Sequence, residues 1–387
     1  MAPQPPTASD LAAQIAAAYI LGEQQLLAGA TAAFARTTAS TAGRLDAIAA
    51  IRTLANRLAH SLAAQDPRVV AMVAAATDAG RRTASTQVSK ALASIPTSGS
   101  GGRQLPPPPG KSLALEGEPF DATLRHGERA AQAIARDLTS SLDDVRRRIT
   151  RLPDDIYKAI APHGAIYAVS PNDFTSAQAQ AAAWRVFVSQ GVRGFTDKSG
   201  RDWSLSAYVE MAVRTAAARA YNTSHLERMN ALGVHYFTTP AHPGSCPLCF
   251  PWQGALLCDD TTDDPKATPL SVAIAAGLFH PNCEHTLIPV FPGVTVLHPL
   301  GEWTDAHAEA FAATQKQRRL ELEVRKAKRR LEYAYEPESR QDAKKDIAAA
   351  QQRLREFVNA TPGAHRQSRR EQLDLRDGFA KMPTPIR

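Results

Sequence analysis

The sequence predicts an α+β fold that is predominantly α-helical: a helical N-terminal region, a small β-rich module stapled by zinc, and a C-terminal helical hairpin. Three observations lead there. Alanine dominates the apolar fraction and aromatics make up only 6% of the 387 residues, which favours helices packed through small side chains. Apolar residues recur three and four apart through most of the chain, the period of a helix with one buried face. The rhythm breaks between 233 and 300, and three of the four cysteines fall in two short segments there.

Ser9 or Asp10 can cap a first helix with Leu11, Ile15 and Ala18 on one face. A second stripe runs through Leu45, Ile48, Ile51, Leu54 and Leu58, and a third from Val69 to Leu92. Residues 1–95 therefore read as antiparallel helices of a bundle. His60 reads as a packed or surface histidine, with no partner residues that would make it a ligand. Met1 to Thr7 is proline-rich and lacks the basic and apolar runs of a secretory signal. The apolar run Ala12 to Ala18 is too short for a membrane span. An aqueous, cytosol-like setting is expected.

Residues 96–111 join a Gly/Ser-rich half to a run of four prolines, a linker that is flexible and then stiff. Its glycines have no Lys-Ser/Thr at the spacing of a phosphate-cradling loop. Residues 112–232 return to helical spacing from about Asp121 to Ile160 and from Ala177 to Ser189. In the first stretch Val145 and Ile149 keep the stripe, which assigns Arg146, Arg147 and Arg148 to a solvated face. Asp197-Lys198-Ser199-Gly200 between β-prone flanks predicts a hairpin near 191–203. Ser204 then caps a helix carrying Tyr208, Met211, Val213, Arg214 and Ala218.

In the 233–300 module, strands are expected at Val234–Thr238, Ala255–Leu257 and Thr286–Val290. Such short strands bury little and need a staple. Cys246-Pro247-Leu248-Cys249 turns two thiolates toward one point, and His280-Pro281-Asn282-Cys283-Glu284-His285 supplies a third sulfur and two imidazoles. Zn²⁺ takes four ligands from these five candidates. The sulfurs of Cys246, Cys249 and Cys283 are the firmest, and either His280 or His285 closes the site, leaving the other to orient a ligand. Three thiolates and one imidazole fill the coordination sphere with no place for a catalytic water, which points to structure over chemistry. Cys258 reads as a buried thiol. The acidic run Asp259 to Asp264 lacks the glycine and terminal glutamate of a calcium loop and reads as exposed. Helical metalloprotease, nucleophile-elbow and dinucleotide fingerprints are all missing.

Residues 301–360 predict a helical hairpin. Leu320, Val324, Ala327, Leu331 and Ala334 form a seam, Pro337 breaks it, and a helix with Ile347, Leu354 and Phe357 runs back. Between Gln315 and Arg330 eight Lys or Arg face two Glu. The seam explains the helix but not the surplus charge, so Arg318, Arg319, Arg325, Lys326, Lys328, Arg329 and Arg330 are candidates for contact with nucleic acid or an acidic partner. A formal charge of +7 fits an anionic partner without requiring one. The tail 361–387 is polar and basic and is expected to order only against a partner.

Four segments together resemble the phage minor capsid (minor head) proteins, relatives of the head morphogenesis proteins of Mu-type phages. They are Gly194-Phe195-Thr196-Asp197-Lys198-Ser199-Gly200-Arg201 with Trp203, Tyr208, Met211, Arg214 and Thr215; the Cys246–Cys249 turn with Trp252-Gln253-Gly254; Gly277 to Thr286, closing on Pro292-Gly293; and Gln317 to Glu321 with Val324 to Arg329. They run in order from about Ala177 to Phe357. The resemblance implies a low-copy virion protein, assembled in the bacterial cytoplasm and associated with the portal protein and other head proteins, with packaged DNA as a further candidate partner. It also implies that the position of His285 can be cysteine in the wider group, an exchange that suits a ligand. About thirty residues follow the hairpin, too few for the toxin or ADP-ribosyltransferase domain appended in some relatives. The rival functions are a metal-dependent nuclease with His280 or His285 as general base, and a DNA-binding protein without catalysis.

Overall fold

The computed structural model describes residues 7–36, 40–93, 120–167, 176–190, 193–196, 202–241, 245–281, 283, 285–299 and 301–373. Helices dominate: α1 Ala8–Arg36, α2 Thr41–Ala63, α3 Asp66–Ala93, α4 Phe120–Tyr167, α5 Ser176–Gln190, α6 Leu205–Ala231, α7 Leu270–Ala275, α8 Asp305–Glu332 and α9 Pro337–Ala360. Strands β1 Arg193–Thr196 and β2 Asp202–Ser204 pair antiparallel, with Thr196 opposite Asp202. The remaining strands, β3 Tyr236–Thr238, β4 Leu257–Cys258, β5 Thr268–Pro269 and β6 Ile288–Pro289, form one sheet in the order β5-β4-β3-β6. The 96–111 linker lies outside the described residues.

Two compact units, each assembled from separated segments, organise the chain. The first takes in Met1–Ala12, Arg68–Leu138 and Met211–Phe311; the second Ala13–Pro67, Thr139–Glu210 and Ala312–Arg387. These units cut across the segments read from the sequence, because α3 contributes most of its length to the same unit as the β-rich module.

In the first unit the sheet is small and mixed. β3 is central and pairs antiparallel with β4 and β6, while β4 runs parallel to β5. Both edge strands carry a proline (Pro269 and Pro289), where the missing N–H spoils no interior ladder. Three strands lie where the sequence places them. The fourth, Thr268–Pro269, is too short to show any alternation. Phe237 of β3 is fully buried and shares a core with Leu257, Leu270, Ala273, Leu278 and Leu287, closed by Ala84 and Val88 of α3 and Met229 of α6.

Gly80 sets the approach of α3 to α6. A Cβ added there would lie 2.3 Å from Ser224 Oγ and 2.4 Å from the Tyr221 carbonyl oxygen. The serine can rotate away; the carbonyl cannot. Nearby, His225 Nε2 meets Gln87 Oε1 at 2.8 Å and Arg228 Nε donates to Ser85 Oγ at 2.9 Å. Burial pushes the His225 imidazole down to about 4, so it is neutral at physiological pH. Gly80→Ala is expected to cost roughly 1–3 kcal/mol by overpacking. Urea unfolding measures it, and a wild-type midpoint would show that these helices separate without penalty.

The acidic run Asp259 to Asp264 is largely exposed, as expected, with Asp259 as the exception. Asp259 is buried and accepts from His235 Nδ1 at 2.6 Å, from Thr262 Oγ1 at 2.7 Å, and from the Thr261 hydroxyl and amide. Asp260 caps α7 by accepting from the Ser271 amide at 3.1 Å. Burial pushes the Asp259 carboxyl up, but the hydrogen bonds from His235, Thr262 and Thr261 outweigh it and hold the group below its ordinary value. A depressed folded-state pKa contributes stability above the unfolded value of about 3.9 and loses it as pH falls through the folded value. Asp259→Asn is therefore expected to melt lower than wild type near neutrality, with the gap narrowing below about pH 4. Melting curves across pH measure this, and a constant gap would contradict it.

In the second unit Trp184 of α5 is 1% exposed and sits 5.2 Å from the Phe34 ring. Its indole N–H lies 3.0 Å from the Tyr333 carbonyl and 3.2 Å from Thr31 Oγ1. The hairpin seam joins Val324 of α8 to Ala350 and Leu354 of α9, with Leu320 and Val358 alongside. Phe357, expected in the seam, lies beneath the Lys316 ammonium at 5.1 Å. One arginine departs from its expected solvated face: Arg146 is buried, where it binds Asp66, Asp143 and the Tyr19 hydroxyl. Arg147 remains exposed beside Asp144. Residues 361–373 of the tail fold back within this unit: Gln317 Nε2 donates to the His365 carbonyl at 2.9 Å and Lys328 Nζ to Gln372 Oε1 at 2.8 Å.

Candidate metal centre

The five sequence candidates converge in the first unit from two tight turns. In the first turn, the Cys249 and Phe250 amides both donate to the Cys246 carbonyl, at 3.1 and 3.0 Å, which folds both thiols to one side. A single 3-10 turn, Phe250–Trp252, follows. It is pinned by Phe250 against the Trp303 and His307 rings, 5.1 and 4.7 Å away. Gly254 ends it with φ 72°, and a Cβ there would lie 2.3 Å from the His298 carbonyl oxygen. Only glycine fits that position.

The second turn begins where α7 stops. Gly277 has φ 111°, and the Leu278 amide returns to the Ala273 carbonyl at 2.9 Å. Phe279 then adopts φ 61°, an uncommon conformation for a bulky residue. This reversal delivers His280, and the Cys283 amide closes the turn on the His280 carbonyl at 2.9 Å.

The ligating atoms fall into two overlapping groups, Cys246–Cys249–His280 and Cys249–Cys283–His285, each with its ligand atoms within 4.8 Å of one another. Cys249 belongs to both. Cys246 Sγ lies 3.0 Å from His280 Nε2, Cys249 Sγ 3.6 Å from Cys283 Sγ, and Cys283 Sγ 3.4 Å from His285 Nδ1. Tetrahedral zinc with ordinary bond lengths separates two sulfurs by about 3.8 Å and a sulfur from a nitrogen by about 3.5 Å. The Cys249–Cys283 and Cys283–His285 spacings lie close to these values and Cys246–His280 is shorter; each group of three could hold a metal ion, and the soft donor set suits Zn²⁺. The Cys249 S–H and then His285 hold Cys283 well below the usual thiol range despite its burial, while Cys249 is pushed up by the Cys283 sulfur and by burial. Cys258 is fully buried, with its S–H directed at the Thr262 carbonyl, and belongs to neither group.

Both imidazoles are oriented by neighbours. His280 Nδ1 lies 2.8 Å from the Pro281 carbonyl, which fixes its proton there and leaves the Nε2 lone pair facing Cys246. His285 is buried, with Nε2 2.9 Å from the Gln253 amide nitrogen. Its backbone N–H also points at Cys283 Sγ, 3.4 Å away. Asn222 of α6 donates to the His285 carbonyl at 3.4 Å. Sequence spacing gave Gln253 and Asn222 no role. Gln253 was visible only inside the Trp252-Gln253-Gly254 motif, and Asn222 lies 63 positions from His285.

The basic candidates sit on α8 in the second unit and are unevenly available. Arg318 and Arg319 are exposed; Arg325, Lys326, Lys328, Arg329 and Arg330 are half-buried. Arg330 binds Asp346 at 3.0 Å and Lys328 binds Gln372. Burial pushes the Arg325 guanidinium down from its ordinary value.

Fold and cluster together define a predominantly helical protein with a small sheet module built on a Cys/His cluster. A family model described as phage minor capsid protein 2 matches residues 37–359, and the chain belongs to that family. The match begins just ahead of α2, well before the motifs that carried the resemblance. The chain is also 28% identical over 185 residues to a structural protein of Lactococcus phage LL-H, covering 45% of this chain and 50% of that protein. It thus spans about half the length of that curated relative. No solved structure matches.

Proposed function

We propose that this chain is a low-copy structural component of the phage head, associated with the portal region and acting in head assembly or genome delivery. The observation that carries this reading is the family match across residues 37–359. Likeness to a phage structural protein supports a place in the virion, reached by assembly in the host cytoplasm. Among the described residues no helix is long and apolar enough to cross a membrane. The decisive experiment follows the protein through infection. It should co-sediment with heads and co-purify with portal protein at a few copies per particle; abundance in lysate with absence from purified heads would overturn the reading.

Within that role the cluster holds a structural Zn²⁺ through Cys246, Cys249, Cys283 and His280. His280 is the better fourth ligand because its second nitrogen is already anchored to a backbone carbonyl. With the Gln253 amide donating to His285 Nε2, the remaining ring proton sits on Nδ1 and points at Cys283, which makes His285 an orienting partner. This full coordination favours a staple over a nuclease centre. Cobalt-substituted His280→Ala is expected to lose its tetrahedral absorption and His285→Ala to keep it; the reverse would exchange their roles. On α8, Arg318 and Arg319 are the foremost residues for contact with an acidic partner or DNA, with Arg325, Lys326, Lys328, Arg329 and Arg330 behind them.

A further inference from the structure

The basic helix α8 does not hold all of the exposed cationic side chains among the described residues. A groove in the first unit runs between α6 and the turn that carries His280 and Cys283. Its α6 wall is formed by Arg214, Thr215, Arg219 and Asn222. Both arginines are exposed, and neither has a hydrogen bond or ion pair among the described residues. No carboxylate is among the described residues that line it.

Two unsatisfied polar atoms lie beneath the groove. The Thr215 hydroxyl and the Asn222 side-chain oxygen are buried without a hydrogen-bond partner. Thr215 is unusual in this. Thr31, Thr53, Thr77 and Thr86, also in helices, each donate to the carbonyl four residues earlier, the ordinary refuge of a helical threonine. Thr215 leaves its hydroxyl without a partner beneath a groove whose α6 wall also carries Arg214 and Arg219. An unmade buried hydrogen bond is costly, so a ligand that reaches the Thr215 hydroxyl and accepts from it is favoured, while the Asn222 oxygen, itself an acceptor, gains nothing from an anion.

We propose that this groove binds a phosphate group. Two guanidinium forks and one hydroxyl donor suit a tetrahedral oxyanion better than a planar one, and Arg is suited to phosphate by geometry as well as charge. Three thiolates around a divalent cation leave one excess negative charge beside the groove, and the two arginines exceed it by one. The phosphate comes from free inorganic phosphate or from a nucleic-acid backbone. The second source rests on the head-protein reading, which supplies DNA as a neighbour; the chemistry of the groove does not depend on it.

Full-length, zinc-loaded protein titrated with a short fluorescein-labelled DNA duplex, and separately with inorganic phosphate, tests this. R214Q/R219Q is expected to weaken duplex binding roughly tenfold or more at low salt and to remove about two counterions from the salt dependence. T215V, which keeps the side-chain shape, should weaken it several-fold. Loss of phosphate binding with unchanged duplex binding would support the groove and assign the free anion as its ligand. Equal affinities of wild type and R214Q/R219Q for both probes would overturn the proposal. So would loss of zinc from R214Q/R219Q, which would assign the arginines to the charge of the cluster. If wild type holds no zinc yet binds phosphate through these arginines, the metal reading fails alone.

Discussion

Cys249→Ser is expected to lose bound zinc and to unfold the sheet module at temperatures where the wild type is intact. Cys249 is the thiol shared by both ligand groups, and it is also 1% exposed within the module's core. The substitution therefore removes a ligand and leaves a polar group among apolar neighbours. Structural zinc is worth on the order of 10 kcal/mol in peptides that fold around it. This module also packs Phe237, Leu257 and Leu287 against two helices, so part of its stability survives metal loss. Even a third of that value would match much of the stability of an ordinary domain, about 5–15 kcal/mol. Cys258→Ser is the control: equally buried but outside both groups, it should keep one zinc per chain. Elemental analysis and melting with and without chelator read both variants. A metal-free wild type with an undiminished melting temperature would remove zinc from the account.

Arg146→Ala is expected to destabilise the second unit by about 2–4 kcal/mol. The guanidinium side chain is 8% exposed and bridges Asp66, Asp143 and Tyr19, three groups from different helices. Burial pushes the Tyr19 phenol up to about 12 even with Arg146 beside it, so the hydroxyl stays protonated and accepts from the guanidinium. Removing the arginine leaves two carboxylates facing each other. Their side chains are 34% and 49% exposed, so water relieves part of the cost and the full penalty of an isolated buried charge does not apply. Arg146→Met keeps the packing of the stem and should recover a good part of the loss. Urea unfolding compares the two, and equal losses would assign the effect to charge alone.

Much of the architecture was legible because helical periodicity is local. Leu320, Val324 and Leu354 are spaced by the helix itself, and the hairpin follows once Pro337 interrupts the pattern. The cluster was legible for a related reason: two tight turns, each within six residues, dictate where their thiols and imidazoles point. What failed was any judgement that required knowing the opposite wall. Arg146 sits on a polar run and reads as solvated, yet Asp66, eighty positions earlier, covers it. Asp259 reads as one of several exposed acids until β3 brings His235 beside it.

The sequence by itself determined the predominantly helical fold, the placing of a small β-rich module, five Cys and His side chains that could hold a metal ion and the family resemblance. Each of these is encoded in residues a few positions apart. Only the tertiary structure decided that Cys249 belongs to both ligand groups, that α3 and α6 close the module's core through Gly80, and that Gln253 and Asn222 hold His285. It also decided that Arg214, Thr215 and Arg219 line one groove, with no ion pair to either arginine among the described residues. Those relations depend on burial and on contacts between distant segments, and spacing along the chain carries no record of them.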